Sequence, residues 1–216
     1  MPAFHPPKVT LTTDIAIFTI REERLEILLI RRGNSPFQGR WALPGGIVEE
    51  DEDLDVCARR ELEEETGVTG LELEQFHTFG APGRDPRGRY VTVAYLTLVR
   101  PDRLSPKAAS DAAGVRWFVV DSLPPLAFDH GEIIAMARRQ LRRRLEESAA
   151  VFGYLPENFT LDELRRLHEI VRGERLEQRK FRSWARCVGL VEETGESRPG
   201  GRRPARLYRA RIQDGS

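Results

Sequence analysis

Residues 46–68 read GIVEEDEDLDVCARRELEEETGV, and the spacing within this stretch decides how the rest of the chain is read. Gly46 is followed six residues later by Glu52, and Arg60-Glu61 stand eight residues after that; Leu62, Glu64-Glu65, Gly67 and Val68 complete the run. The segment Asp53–Glu65 is predicted helical, and Gly67 suits a left-handed C-terminal cap. On such a helix Glu61, Glu64 and Glu65 stand at i, i+3 and i+4, so three carboxylates share one face. Like charges so placed repel by about 0.2–0.5 kcal/mol per pair, and the crowding calls for a cation. An all-oxygen set favours Mg²⁺ or Mn²⁺ over zinc. A bound cation of this kind neutralises phosphate oxygens and lowers the pKa of an attacking water, which suits diphosphate chemistry. Arg60 is placed to pair with Glu52 and lock the preceding loop to the helix. Leu54, Ala58 and Leu62 form an apolar stripe that docks the helix on a sheet.

Around this helix the first half reads as strands and loops. Thr10–Ile20 and Leu25–Arg31 are rich in β-branched and aliphatic residues and flank the charged turn REER, which predicts a hairpin. The turn-rich RGNSPFQGRWALPGG follows, and Tyr90–Val99 and Val115–Val120 are further strands. From His130 the pattern turns helical: Ile133, Ala137, Leu141 and Leu145 form an i, i+4 stripe. GYLPENFT interrupts it. Thr160-Leu-Asp-Glu163 is a capping box opening a helix to about Val171, Gly173 ends it, and a second helix covers Gln178–Val188. The chain closes on two short strands around a Gly/Pro/Arg tip. Helix, turn, helix, hairpin is the winged-helix order, and the domain boundary is placed near Ala150.

The composition agrees. At 216 residues, 40 % apolar and 31 % charged, the chain is too long for a peptide and too apolar for a disordered chain. No apolar run approaches the roughly 20 residues of a membrane span, and the N-terminus lacks a signal-peptide core. The two cysteines, Cys57 and Cys187, are too few for a disulfide framework and fit a reducing cytoplasm. Both are read as buried or semi-buried side chains. Residues 1–130 hold 15 basic and 21 acidic side chains, whereas residues 131–216 hold 19 and 13. An acidic half joined to a basic half implies two jobs, the basic one facing a polyanion.

The pattern Gly46-x5-Glu52-x7-Arg60-Glu61-Leu62-x-Glu64-Glu65-x-Gly67-Val68 resembles the Nudix box at every defined position. The resemblance implies an α/β fold, the Nudix α/β/α sandwich with a mixed sheet, and Mg²⁺-dependent (or Mn²⁺-dependent) cleavage of nucleoside diphosphates linked to another group. It makes Glu61, Glu64 and Glu65, with Gly46, the metal site, and Glu52 and Arg60 part of the catalytic set. FGAPGRDPRGRYVTVAYL, LAFDHGEII, LPENFTLDEL and GGRRPARLYR look like the Nudix-related transcriptional regulators of NAD metabolism, which join an ADP-ribose-binding Nudix domain to a C-terminal winged helix. Pro82, fourteen residues after Val68, resembles the post-box proline of ADP-ribose pyrophosphatases. Many of the regulators carry a degraded box, whereas this one is complete and implies retained hydrolysis. Several Nudix enzymes take a further catalytic Glu from a loop beyond the box. This chain has no Glu between Glu74 and Glu132, which leaves Asp85, Asp111 or a box glutamate as the base.

Other candidates follow from residue type. Arg31, Arg32, Arg84, Arg87 and Arg89 flank the box and suit bidentate pairing with the diphosphate or terminal ribose phosphate. Phe37, Trp41 and Phe79 are either core or adenine-stacking rings. His130 is read as a polar anchor beside the helix start, with no chemistry assigned. In the tail, Arg179, Lys180, Arg182 and Arg186 are expected to face DNA while Phe181, Trp184 and Val188 pack inward. Arg202, Arg203 and Arg206 sit on the expected wing. The expectation is a cytoplasmic regulator with a Nudix domain over residues 1–150 and a winged helix-turn-helix domain over 151–216. It responds to ADP-ribose, binds a double-stranded operator as a homodimer, makes no membrane contact, and cleaves ADP-ribose-like substrates to AMP and ribose 5-phosphate. The alternative is a housekeeping ADP-ribose pyrophosphatase with a non-regulatory basic C-terminal domain.

Overall fold

The computed structural model describes residues 8–103, 114–147, 154–199 and 204–211. They fall into two compact units that divide between Ala137 and Arg138. In the first, β1 (Thr10–Arg21) is central to a mixed sheet, antiparallel to β2 (Arg24–Arg31) and parallel to β5 (Tyr90–Leu98) from Thr10↔Tyr90 to Phe18↔Leu98. Outside β5 lies the antiparallel β4 (Glu74–Phe79), and both β3 (Trp41–Ala42) and β6 (Val115–Val119) pair with β2. Residues 12–20 of β1 are buried without a break, as expected of a strand covered on both faces. Ile15 and Ile17 join Ala58, Leu62, Val93 and Tyr95 in one core cluster, while Ala16 and Phe18 are equally buried on the opposite face.

Helix α1 (Leu54–Thr66) forms where the sequence reading placed it. Asp53 caps its start by accepting from the Asp55 amide at 3.1 Å, and Gly67, at φ 69°, donates to the Glu63 carbonyl. Leu54 packs against the core cluster that contains Ala58 and Leu62, so the apolar stripe docks the helix as its spacing implied. With helices and a mixed sheet, this unit is the α/β architecture the box resemblance implied.

Helix α2 (His130–Glu147) buries Ile133, Ala137, Leu141 and Leu145 along one stripe. In the second unit, Arg138 and Arg142 of α2 donate to the Val171 carbonyl at 3.2 and 3.3 Å and so satisfy the end of α3 (Leu161–Arg172). The Thr160–Glu163 capping box is present in both directions, and Gly173 ends α3 at φ 73°. Helix α4 (Gln178–Cys187) and the antiparallel hairpin β7 (Val191–Arg198) and β8 (Ala205–Ala210) complete a winged helix. Phe159 and Tyr208 exchange both backbone hydrogen bonds and tie the hairpin to the start of α3. Among the described residues no helix is long and apolar enough to cross a membrane.

Candidate functional site

Gly45 and Gly46 put backbone against the carboxylates of α1. The Gly45 amide donates to Glu65 Oε2 at 2.9 Å, and a methyl group on Gly46 would fall 2.0 Å from Glu61 Oε1. Gly45 sits at φ 150° with its missing side chain facing the Thr13 carbonyl, an approach open to glycine alone. The loop is registered on β1 by Ile15 N–H to the Pro44 carbonyl and Thr13 N–H to the Gly46 carbonyl, both 2.9 Å.

Arg60 forms the expected lock. Its Nε and one Nη reach the two Glu52 oxygens at 2.7 and 2.8 Å, and the other Nη reaches Glu61 at 2.8 Å and Glu64 at 3.4 Å. The paired guanidinium holds the Glu52 carboxyl down at about 2. Burial pushes Glu65 up to about 7; the charges of Glu61 and Asp14 add to this, and the Gly45 amide and Arg32 oppose it. Glu64 is exposed. Among the described residues no three acidic, imidazole or thiol side chains already converge on one metal-sized point. The donor set nevertheless suits a hard divalent cation: it is all oxygen, and the Glu61 and Glu65 carboxylates, from neighbouring turns of α1, close onto the backbone of Gly46 and Gly45.

From the two glycines a cleft extends over Thr12, Thr13 and Asp14 to Arg32, Arg87, Tyr90 and Phe128. The Arg32 guanidinium lies 4.7 Å from the Phe128 ring centroid, and Arg87 lies 4.6 Å from that of Tyr90. Phe128 holds a left-handed backbone at φ 51°, unusual for a bulky residue. Arg84 also lines the cleft, but its side chain is 5 % exposed and is engaged with Asp129 through two bonds of 2.8 and 2.7 Å. Arg87 grips both oxygens of buried Asp85, and despite burial these bonds hold the Asp85 carboxyl below its usual range. Arg31 and Arg89 instead reach the carbonyls of Gly39 and Gly80, and Pro82 is exposed. Phe37 packs edge-on against Phe128, Trp41 against Phe118, and Phe79 against His77 and Phe76. Asp14, Tyr90 and Phe128 were not singled out by sequence; they converge from β1, β5 and a loop, and no local spacing marks that meeting.

In the winged helix, Phe181 and Ala185 are buried, Trp184 and Val188 half-buried, and Arg179, Lys180, Arg182 and Arg186 exposed. Arg182 pairs with Asp162 at 2.9 Å and Arg206 with Glu193 at 2.9 Å. Arg202, Arg203 and Asp111 lie outside the described residues. Cys57 is buried, whereas Cys187 is exposed on the last turn of α4, on the opposite side from Phe181 and Ala185.

Comparison with known proteins agrees with this division of labour. Residues 10–137 match the NUDIX domain model, and residues 151–210 match the NrtR DNA-binding winged helix domain. The chain is 39 % identical to the ADPR responsive transcriptional repressor NtrR of Acinetobacter baylyi, over 96 % of this chain and 84 % of that one. It is 40 % identical to an ADP-ribose pyrophosphatase of Methanocaldococcus jannaschii over 56 % of this chain and 70 % of that one. Shewanella oneidensis NrtR, solved with a 27mer DNA, superposes with a TM-score of 0.76 at 36 % identity, covering 93 % of each chain. A Nudix domain followed by an NrtR-type DNA-binding winged helix places the chain in the NrtR family of Nudix proteins.

Proposed function

We propose that this chain is an ADP-ribose-responsive transcriptional regulator of the NAD-metabolism type, acting in the cytoplasm as a homodimer, whose Nudix domain retains hydrolysis. The observation that carries the proposal is the complete acidic end of the cleft: Glu52 locked by Arg60, with Glu61 and Glu65 closed onto Gly46 and Gly45. Glu61, Glu64, Glu65 and the Gly46 carbonyl would hold Mg²⁺ or Mn²⁺, which when bound neutralises the diphosphate and lowers the pKa of an attacking water. Arg32 and Arg87, with Phe128 and Tyr90, receive the remainder of the nucleotide. Water adds to phosphorus, the P–O–P anhydride breaks, and AMP and ribose 5-phosphate leave. Asp85 is a poor proton acceptor because both its oxygens face Arg87. Asp111 and the box glutamates stay candidates; Glu64, exposed and touching Arg60 only at 3.4 Å, is open both to the metal and to the attacking water. The winged helix carries the output, with Arg179, Lys180, Arg182 and Arg186 towards the groove and Arg202, Arg203 and Arg206 on the wing.

The test is phosphate-coupled hydrolysis of ADP-ribose, NADH and diadenosine polyphosphates with Mg²⁺, beside Glu64→Gln and an operator-binding assay. Turnover lost in Glu64→Gln with ADP-ribose-dependent operator binding preserved is the expected result. Rapid turnover without sequence-specific DNA binding would favour the housekeeping pyrophosphatase, a reading supported by the intact box. Absence of both ADP-ribose binding and turnover would reject either one.

A further inference from the structure

We propose that His130 is a positioning residue for the acidic end of the cleft: by accepting the Leu43 amide hydrogen it fixes Leu43–Gly46, the backbone onto which Glu61 and Glu65 close. The inference rests on the nucleotide-binding reading of that cleft. His130 belongs to LAFDHGEII, and its side chain is 6 % exposed. Its Nδ1 accepts from Leu43 N–H at 2.8 Å, so the ring proton sits on Nε2, which faces Asp14 Oδ1 at 3.5 Å. With its one lone pair occupied, this imidazole cannot serve as a base. The charged groups around it are Asp14, Asp129, Arg84 and Arg32; burial pushes the imidazole down, the two arginines add to this and the two aspartates oppose it. The Leu43–Gly46 segment is thus held from two sides. β1 takes its carbonyls at Pro44 and Gly46, and His130 takes its amide at Leu43. Gly45, two residues on, is the amide that grips Glu65. Partners that orient a metal site from behind its ligands change affinity without touching the metal.

The experiment uses the full chain stripped of metal. Mn²⁺ binding is followed by the electron paramagnetic resonance of free Mn²⁺, ADP-ribose binding by calorimetry, and folding by thermal melts. His130→Leu removes the acceptor and is expected to weaken Mn²⁺ binding about tenfold. His130→Asn, whose amide oxygen reaches the place of Nδ1, should stay within about threefold of wild type, and His130→Gln should not. Should His130→Leu fail to fold, the Asn and Gln pair decides. Asn no better than Gln, or variants with lowered melting temperature and unchanged Mn²⁺ affinity, would overturn the proposal. If wild type binds Mn²⁺ but not ADP-ribose, the nucleotide reading fails while the Mn²⁺ comparison still judges His130.

Discussion

Burial is the largest influence that brings the Glu65 carboxyl to about 7, and the neighbouring Glu61 and Asp14 charges push the same way. The folded chain without metal therefore keeps a proton that the unfolded chain releases near pH 4.5. Stability from this group is complete below pH 4.5 and is lost as pH rises through about 7. Glu65→Gln keeps an oxygen for the Gly45 amide and removes the titration. In chelator, the variant should be more stable than wild type by about 1–3 kcal/mol at pH 8, with the gap closing at pH 4. Urea unfolding at the two pH values measures this, and a gap independent of pH would contradict the assignment. Because a cation must displace that proton, wild-type Mn²⁺ affinity should climb with pH until about 7 and then level off.

At the scale of elements, the packing of α3 on α4 turns on His168, which lies 5.1 Å from both the Phe181 and Trp184 rings. Burial, with the Arg172 charge beside it, pushes this imidazole down to about 4 from an ordinary 6.5. Its stabilising contribution is present above pH 6.5 and is lost as pH falls towards 4. His168→Phe keeps a ring between its neighbours and should remove an acid loss of about 3 kcal/mol at most, read as hydrogen exchange of α3 and α4 amides. The β1–β2 hairpin offers a contrasting case. Arg21 pairs with Arg24, and Glu22 and Glu23 occupy left-handed backbone at φ 47° and 60°. A two-residue turn of that shape prefers Asn-Gly, so Glu22→Asn with Glu23→Gly should gain about 1 kcal/mol. An unchanged melting temperature would show that the glutamates carry no strain. The hairpin itself was legible, as were α1, α3 and α4, because apolar period, caps and turn are local signals. β4 was not read, since EQFHTF lacks clean alternation and gains its place by pairing with β5. β3 is two residues long and takes its place by pairing with β2 and by the bridge from Trp41 to Leu126. The same limit applied to the cleft: the α1 caps and the Arg60–Glu52 pair were legible from spacing, whereas Asp14, Tyr90 and Phe128 come to line the cleft only through long-range contacts. It also separated Arg84 from Arg32, alike as arginines near the box, once Asp129 was in place.

At the scale of the whole molecule, the basic C-terminal half and the acidic N-terminal half make separate electrostatic statements. If about six to eight phosphates are neutralised per dimer, log K for operator DNA should fall with log salt at a slope of about −5 to −7. Filter binding across a salt series measures it, and a salt-independent affinity would argue against a DNA role. The slope also distinguishes two ways for ADP-ribose to act. A ligand that shifts the chain between DNA-competent and incompetent states changes the fraction able to bind but not the phosphates contacted, so it moves the line without tilting it. A ligand that competes within the basic surface would tilt it. The cleft and the exposed arginines of α4 belong to different compact units, so displacement without tilt is the expected outcome. Linkage then fixes a second measurement. Saturating operator must change the affinity for ADP-ribose by the same factor by which ADP-ribose changes the affinity for operator. With Glu64→Gln used to prevent turnover, calorimetry on the free and DNA-bound chain gives that factor, and a factor of one in both directions would leave the two domains joined in sequence but uncoupled in function.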